Sequence, residues 1–138
     1  MSRAMSRRAL VVLLTLAAAL PAGCGGGGGS ERAVIVHMHY SKFLPASLVL
    51  KAGATVTFEL ANDDPIAHEF IIGTAAEQLA HESGDPHDPH TGPGQALLEG
   101  GKTARIRYTF ASPGTLQYAC HRPGHYGYGM VGTITVEA

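Results

Sequence analysis

The chain has 138 residues, with 10 Lys and Arg against 11 Asp and Glu for a net charge of −1. It carries no basic run of the density that nucleic-acid binding requires. With an N-terminal leader and glycine run set aside, roughly 108 residues remain, enough for one small core and too few for two domains.

The leader reads as an export signal. Arg3, Arg7 and Arg8 form a positive region, and residues 9–20 are an apolar run too short and too rich in small residues for a good membrane span. Ser6-Arg7-Arg8-Ala9-Leu10 also carries the paired arginines of twin-arginine leaders. Leu20-Pro21-Ala22-Gly23-Cys24 resembles a bacterial lipobox, whose cysteine is lipidated and becomes the mature N-terminus, although Pro21 replaces the usual aliphatic residue. Residues 25–32, rich in glycine, suit a flexible tether that holds a domain off a membrane. The expected organisation is a signal peptide over 1–24 with a lipobox, a tether over 25–32 and one folded domain over 33–138. The expected location is the periplasm or the outer face of the cell membrane, anchored by lipid at Cys24. Cleavage near Ala22 or Gly23 with release is the alternative.

Along the domain, residues 33–39 predict a first strand, apolar enough at Ala33-Val34-Ile35-Val36 to be buried on both faces. Phe43-Leu44-Pro45 reads as a connection, and residues 47–51 as a strand closed by Ala52-Gly53. Residues 55–60 alternate, which places Val56, Phe58 and Leu60 on one face. Asn62-Asp63-Asp64-Pro65 is a turn leading into a strand over 68–72, with His68 and Phe70 inward. Residues 74–81 have helical composition and room for about two turns. The stretch 82–101 reads as loop. Residues 102–110 alternate again, with Ala104, Ile106, Tyr108 and Phe110 inward, and Ser112-Pro113-Gly114 predicts a tight hairpin. Residues 115–120 bring Leu116, Tyr118 and Cys120 inward and His121 to the other side, and the β-branched run 131–136 closes the sheet. Short strands between turn signals predict an all-β, two-sheet Greek-key sandwich with one short helical and loop insert.

The chemistry concentrates in Tyr118-Ala-Cys-His-Arg-Pro-Gly-His-Tyr-Gly-Tyr-Gly-Met130, where Cys120, His125 and Met130 share a loop kept compact by one proline and three glycines. Thiolate, imidazole and a weak axial thioether are the donors of a mononuclear blue-copper site, which needs one further histidine from elsewhere in the fold. His68, after a turn and at the start of an apolar run, is the best candidate. A thioether serves zinc poorly. Two cysteines in an exported protein are ordinarily a disulfide. Pairing Cys24 with Cys120 would instead stitch a disposable segment to the core, so Cys120 reads as a lone thiol protected by metal.

On these residues, in this order, the chain resembles the cupredoxins, the small type 1 copper proteins, from about Ala33 to the C-terminus. The resemblance implies one type 1 copper held by His68, Cys120, His125 and Met130, and a Greek-key sandwich. It also implies an exposed edge of the loop histidine, His125, in an apolar patch that docks redox protein partners, here including Pro123, Tyr126 and Tyr128. Glu69 departs from the family, which carries a small polar residue after the first ligand.

Two functions remain open on this reading. One is a one-electron carrier between redox partners. The other is a copper-binding protein for homeostasis or resistance, using the surplus donors His37, Met38 and His39 with His81, His87 and His90. The loop histidines equally suit a solvated polar loop. His121 reads as a step on an electron path or as an ordinary surface imidazole. Neither function makes the chain an enzyme, and no catalytic residue is assigned. Multicopper oxidases place a histidine on each side of the cysteine, whereas Ala119 precedes Cys120, and they need several such domains. A binuclear centre needs a second loop cysteine.

Overall fold

A computed structural model describes residues 31–84 and 92–138. The leader, residues 25–30 of the expected tether, Cys24, His87 and His90 lie outside the described residues, while Glu31 and Arg32, expected in the tether, open the first strand beside Thr55 and Val56. The elements are β1 (Glu31–His39), β2 (Lys42–Leu44), β3 (Ser47–Lys51), β4 (Thr55–Asn62), β5 (His68–Gly73), α1 (Ala75–Glu82), β6 (Gln95–Leu98), β7 (Thr103–Thr109), β8 (Gly114–Ala119) and β9 (Val131–Glu137). They form two sheets, ordered β2-β1-β4-β7 and β3-β9-β8-β5-β6. The chain crosses between the sheets after β2, β3, β4, β6 and β7, which gives the sandwich its Greek-key character.

Alternation decides which side chains fill the space between the sheets. Val56, Phe58 and Leu60 of β4 are buried while their neighbours are only partly covered. The inner space is occupied by aromatic rings: Phe70 stacks on Tyr118 at 5.3 Å and meets Phe43 edge-on at 5.8 Å, and Phe58 lies 5.3 Å from Phe70. The Tyr118 hydroxyl donates to the Pro45 carbonyl at 2.5 Å, so the one polar end of this cluster is satisfied.

Four sequence expectations need correction. β1 is buried on one face only, at Val34, Val36 and Met38, and Ile35 is 56% exposed. The two-sided case is instead β5, buried at all six residues, because its inner face meets the core and α1 packs on β5 and β8 from outside. Residues 42–44 are a strand, not a connection. They pair with β1 across a turn at Tyr40 and Ser41, both left-handed at φ 51° and 53°, with none of the glycine or asparagine that usually marks such a turn. The stretch 82–101 contains β6, which pairs with β5 and puts Leu98 opposite His68. Four residues after Gly92-Pro93-Gly94 are too few for periodicity to show. Finally, Ser112-Pro113-Gly114 is a turn but not a hairpin: β7 pairs with β4 and β8 with β5 and β9, so the chain arches from one sheet to the other.

Candidate metal centre

His68 opens β5, and the turn before it is organised by a buried amide. Asn62 Nδ2 donates to the carbonyls of Ile66, Leu98 and Glu99 at 2.7, 3.0 and 3.1 Å, while its Oδ1 accepts the Asp64 N–H at 3.1 Å. This places Asp64 Oδ2 2.8 Å from His68 Nε2. The carboxylate accepts that N–H, so the imidazole presents the lone pair of Nδ1 to the interior. The same carboxylate accepts the Tyr40 and Ser41 N–H groups, each at 2.8 Å, which holds the left-handed turn between β1 and β2. Burial works to raise the Asp64 pKa, but the hydrogen bonds from the Ser41 N–H, His68 and the Tyr40 N–H outweigh it and hold the group below its ordinary value.

Cys120 follows β8 and is fully buried. Its sulfur accepts the Glu69 backbone N–H at 3.3 Å. Glu69 therefore supports the thiol through its main chain, while its own carboxylate turns to the far side and accepts the His121 N–H at 3.1 Å. Burial pushes the Cys120 thiol up to about 11, offset in part by the Glu69 and Arg122 N–H groups.

The loop after Cys120 is fixed by its own backbone. The His125 N–H donates to Arg122 O, Tyr128 to Gly124 O, and Gly129 to Tyr126 O, at 2.8 to 3.0 Å. Gly124 and Gly129 supply left-handed turns at φ 84° and 83°. The Met130 N–H donates to His125 O at 2.9 Å and the Cys120 N–H to Met130 O at 3.2 Å, so three of the four expected ligand residues are tied directly to one another. Lys42 Nζ donates to the carbonyls of Tyr128 and Gly129, pinning the loop to β2.

These elements bring three donor atoms together. His68 Nδ1 lies 3.2 Å from His125 Nδ1 and 4.0 Å from Cys120 Sγ, and Cys120 Sγ lies 3.4 Å from His125 Nδ1. A point equidistant from all three is about 2 Å from each, the length of a metal–nitrogen or metal–sulfur bond. Among the described residues this is the cluster of histidine, cysteine and acidic groups with metal-holding spacing. Met130 is fully buried alongside it. Burial and the neighbouring His68 lower the His125 pKa, so its imidazole is favoured in the neutral, ligating form.

The other expected residues fall elsewhere. His37 and His39 do share a strand face, but His37 Nδ1 pairs with Asp63 at 2.6 Å and His39 Nδ1 lies 3.7 Å from Asp64, and among the described residues the two join no common metal cluster. His81 stacks on His121 at 5.7 Å. His121 points away from the thiol as expected but is not a surface imidazole: its side chain is only 4% exposed. It lies beneath α1, 5.0 Å from the Tyr126 ring, with Nε2 at 2.7 Å from Gln78 Oε1 and Nδ1 at 2.8 Å from Glu82. Gln78 is fixed there because its amide N–H groups donate to Ile71 O and Gln117 O. Sequence reasoning missed Asp64, whose only signal was its place four residues before His68 within a turn.

A two-sheet sandwich with two imidazoles and a thiol converging at one end, and a buried methionine beside them, has the arrangement of a type 1 copper site. Residues 32–137 match the family of copper binding proteins described as plastocyanin/azurin, and the chain belongs to that family. It is 35% identical over 117 residues to the copper-resistant cuproprotein CopI of Rubrivivax gelatinosus, covering 82% of this chain and 71% of that protein. It is 31% identical over 140 residues to the copper-resistant cuproprotein CopI of Pseudomonas aeruginosa, covering 78% and 77%. Among solved structures, auracyanin B superposes with a TM-score of 0.67 at 26% identity, covering 78% of this chain and 89% of that one.

Proposed function

We propose that His68 Nδ1, His125 Nδ1 and Cys120 Sγ would hold one copper, with the Met130 thioether as a further, weak donor, and that the protein's work is one-electron transfer. The observation that supports this is the mutual spacing of 3.2 to 4.0 Å among the three donor atoms. Bound copper would supply a Cu(I)/Cu(II) couple that this mixed set of soft and borderline donors accepts in both states. The chain's part is rigidity: Asp64 and the Glu69 N–H hold two donors, and the loop's own hydrogen bonds hold the third.

A second reading, protection against copper, is favoured by the two relatives named copper-resistant cuproproteins. The two readings are compatible if electron exchange at the one site is what confers resistance. The protein acts outside the cytoplasm, held to the membrane by lipid at Cys24. Redox partners dock where Tyr128 is 82% exposed and Pro123 is open beside the half-buried His125. Such interfaces are small and transient.

Copper titration followed by visible spectroscopy tests the ligand assignment. The expected result is one copper per chain with intense thiolate-to-copper absorption, abolished by Cys120→Ser. A coloured Cys120→Ser protein, or a colourless wild type fully loaded with Cu(II), rejects it.

A further inference from the structure

We infer that Asp64 is a positioning residue that sets which copper oxidation state the centre prefers, by gripping His68 through its Nε2–H and placing a carboxylate charge against that imidazole. The inference rests on the ligand set proposed above.

The grip is built from several directions. His68 is fully buried and Asp64 Oδ2 stands 2.8 Å from its Nε2, so the imidazole can neither rotate nor exchange tautomer without breaking that bond. The carboxylate is in turn fixed by the Tyr40 and Ser41 N–H groups. Its backbone is fixed by Asn62 Oδ1 on the Asp64 N–H and by the Gly101 N–H on the Asp64 carbonyl. Two left-handed non-glycine residues at Tyr40 and Ser41 are tolerated where these contacts hold them. A carboxylate on the outer nitrogen of a ligand histidine fixes its orientation and raises its basicity.

The charge count decides the direction. Two neutral imidazoles and one thiolate leave Cu(II) with a net charge of +1 and Cu(I) with none. Adding the Asp64 carboxylate makes these zero and −1. Its side chain is 9% exposed, so water screens it weakly, and the more positive metal state gains more from it. The groups facing Asp64 change this little. His39 lies 3.7 Å away on the half-exposed side, and His37 is occupied by Asp63. Glu69, the other buried carboxylate nearby, accepts the His121 N–H and has Arg122 Nη1 at 4.0 Å, and its charge reaches Cys120 and His125 through space. Asp64 differs in being hydrogen-bonded to a ligand's own ring nitrogen.

The test compares copper-loaded full-length wild type with Asp64→Asn and with Asp64→Ser. The serine is the second variant because an asparagine amide would set N–H against one of the three donors and could prevent folding. Competing chelators give the affinity for each oxidation state, and voltammetry gives the midpoint potential. We expect Cu(II) affinity to fall by about 10- to 100-fold, the usual loss for such partners. Cu(I) affinity should fall less, so the potential rises by about 59 mV for each tenfold difference. In the Cu(I) wild type, the His68 Nε2–H should give a slowly exchanging proton resonance that the variants lose. Coloured variants with the wild-type potential would overturn this inference alone and leave Asp64 a structural residue. A wild type without thiolate-coloured copper would remove the ligand assignment and this inference with it.

Discussion

Burial holds the Cys120 thiol protonated up to about 11, against an ordinary value of 9.0. A group whose folded pKa is raised contributes stability below its unfolded pKa and loses it as pH rises toward the folded value. The metal-free protein should therefore lose stability between pH 9 and about 11, by about 2–3 kcal/mol from this thiol. Tyr118, raised from 10.0 to about 12 by burial, adds a further loss that begins above pH 10. Thermal melts of copper-free protein across this range should show the decline, and Cys120→Ala should delay its onset from pH 9 to pH 10. With the thiolate ligated by copper the Cys120 part should vanish, because the sulfur is then already deprotonated. A copper-free wild type whose melting temperature stays flat from pH 9 to 11 would show that the thiol is not held in a low-dielectric environment.

At the level of elements, the site depends on the strand pair β8–β9, which carries Cys120 and Met130 at its open end. Tyr118 of β8 stands opposite Gly132 of β9, and a Cβ at Gly132 would lie 2.2 Å from Tyr118 Cζ. The ring has little freedom to retreat, since Phe70 stacks on one side and Pro45 takes its hydroxyl. Gly132→Ala should cost about 1–3 kcal/mol by overpacking, read as a melting temperature lower by several degrees. It should also disturb the copper absorption, because the Cys120–Met130 backbone bond lies two residues along the same ladder. An unaltered melt would mean that Tyr118 moves aside freely. These elements show how far the sequence could be read. The long alternating strands and the loop from Cys120 to Met130 were legible because period and spacing are written in the residues themselves. β2 and β6 were not, since each is three or four residues long and borrows its register from a longer neighbour. The burial of His121 was hidden for a similar reason: alternation gives its direction, but only the docking of α1 supplies the cover, through Gln78 and Glu82. Asp64 read as a turn residue, and its partnership with His68 and with the Tyr40–Ser41 turn is a meeting of segments distant in sequence.

On the scale of the whole molecule, the question is whether the surplus histidines or the single buried centre does the protein's work. Among the described residues His37, His39 and His81 join no metal cluster: His37 pairs with Asp63, His39 lies near Asp64, and His81 stacks on the His121 ring. The four residues His68, Cys120, His125 and Met130 would form a complete donor set without them. Replacing His37, His39, His81, His87 and His90 together should therefore leave one copper per chain, the same visible spectrum and nearly the same electron-exchange rate. In a strain lacking the protein, the five-histidine variant should restore copper tolerance as well as wild type does, whereas Cys120→Ser should not. Fractionation of the same strains reports the anchor, since wild type should follow the membrane and Cys24→Ala should be soluble or unprocessed. A wild type found wholly in the soluble fraction, cleaved before Cys24, would replace the anchor with simple secretion. Two coppers per wild-type chain and one per five-histidine chain, with tolerance lost in that variant, would move the function from the buried centre to the histidines. The histidines would then be binding and delivering the ion, as imidazoles and carboxylates can do for Cu(II).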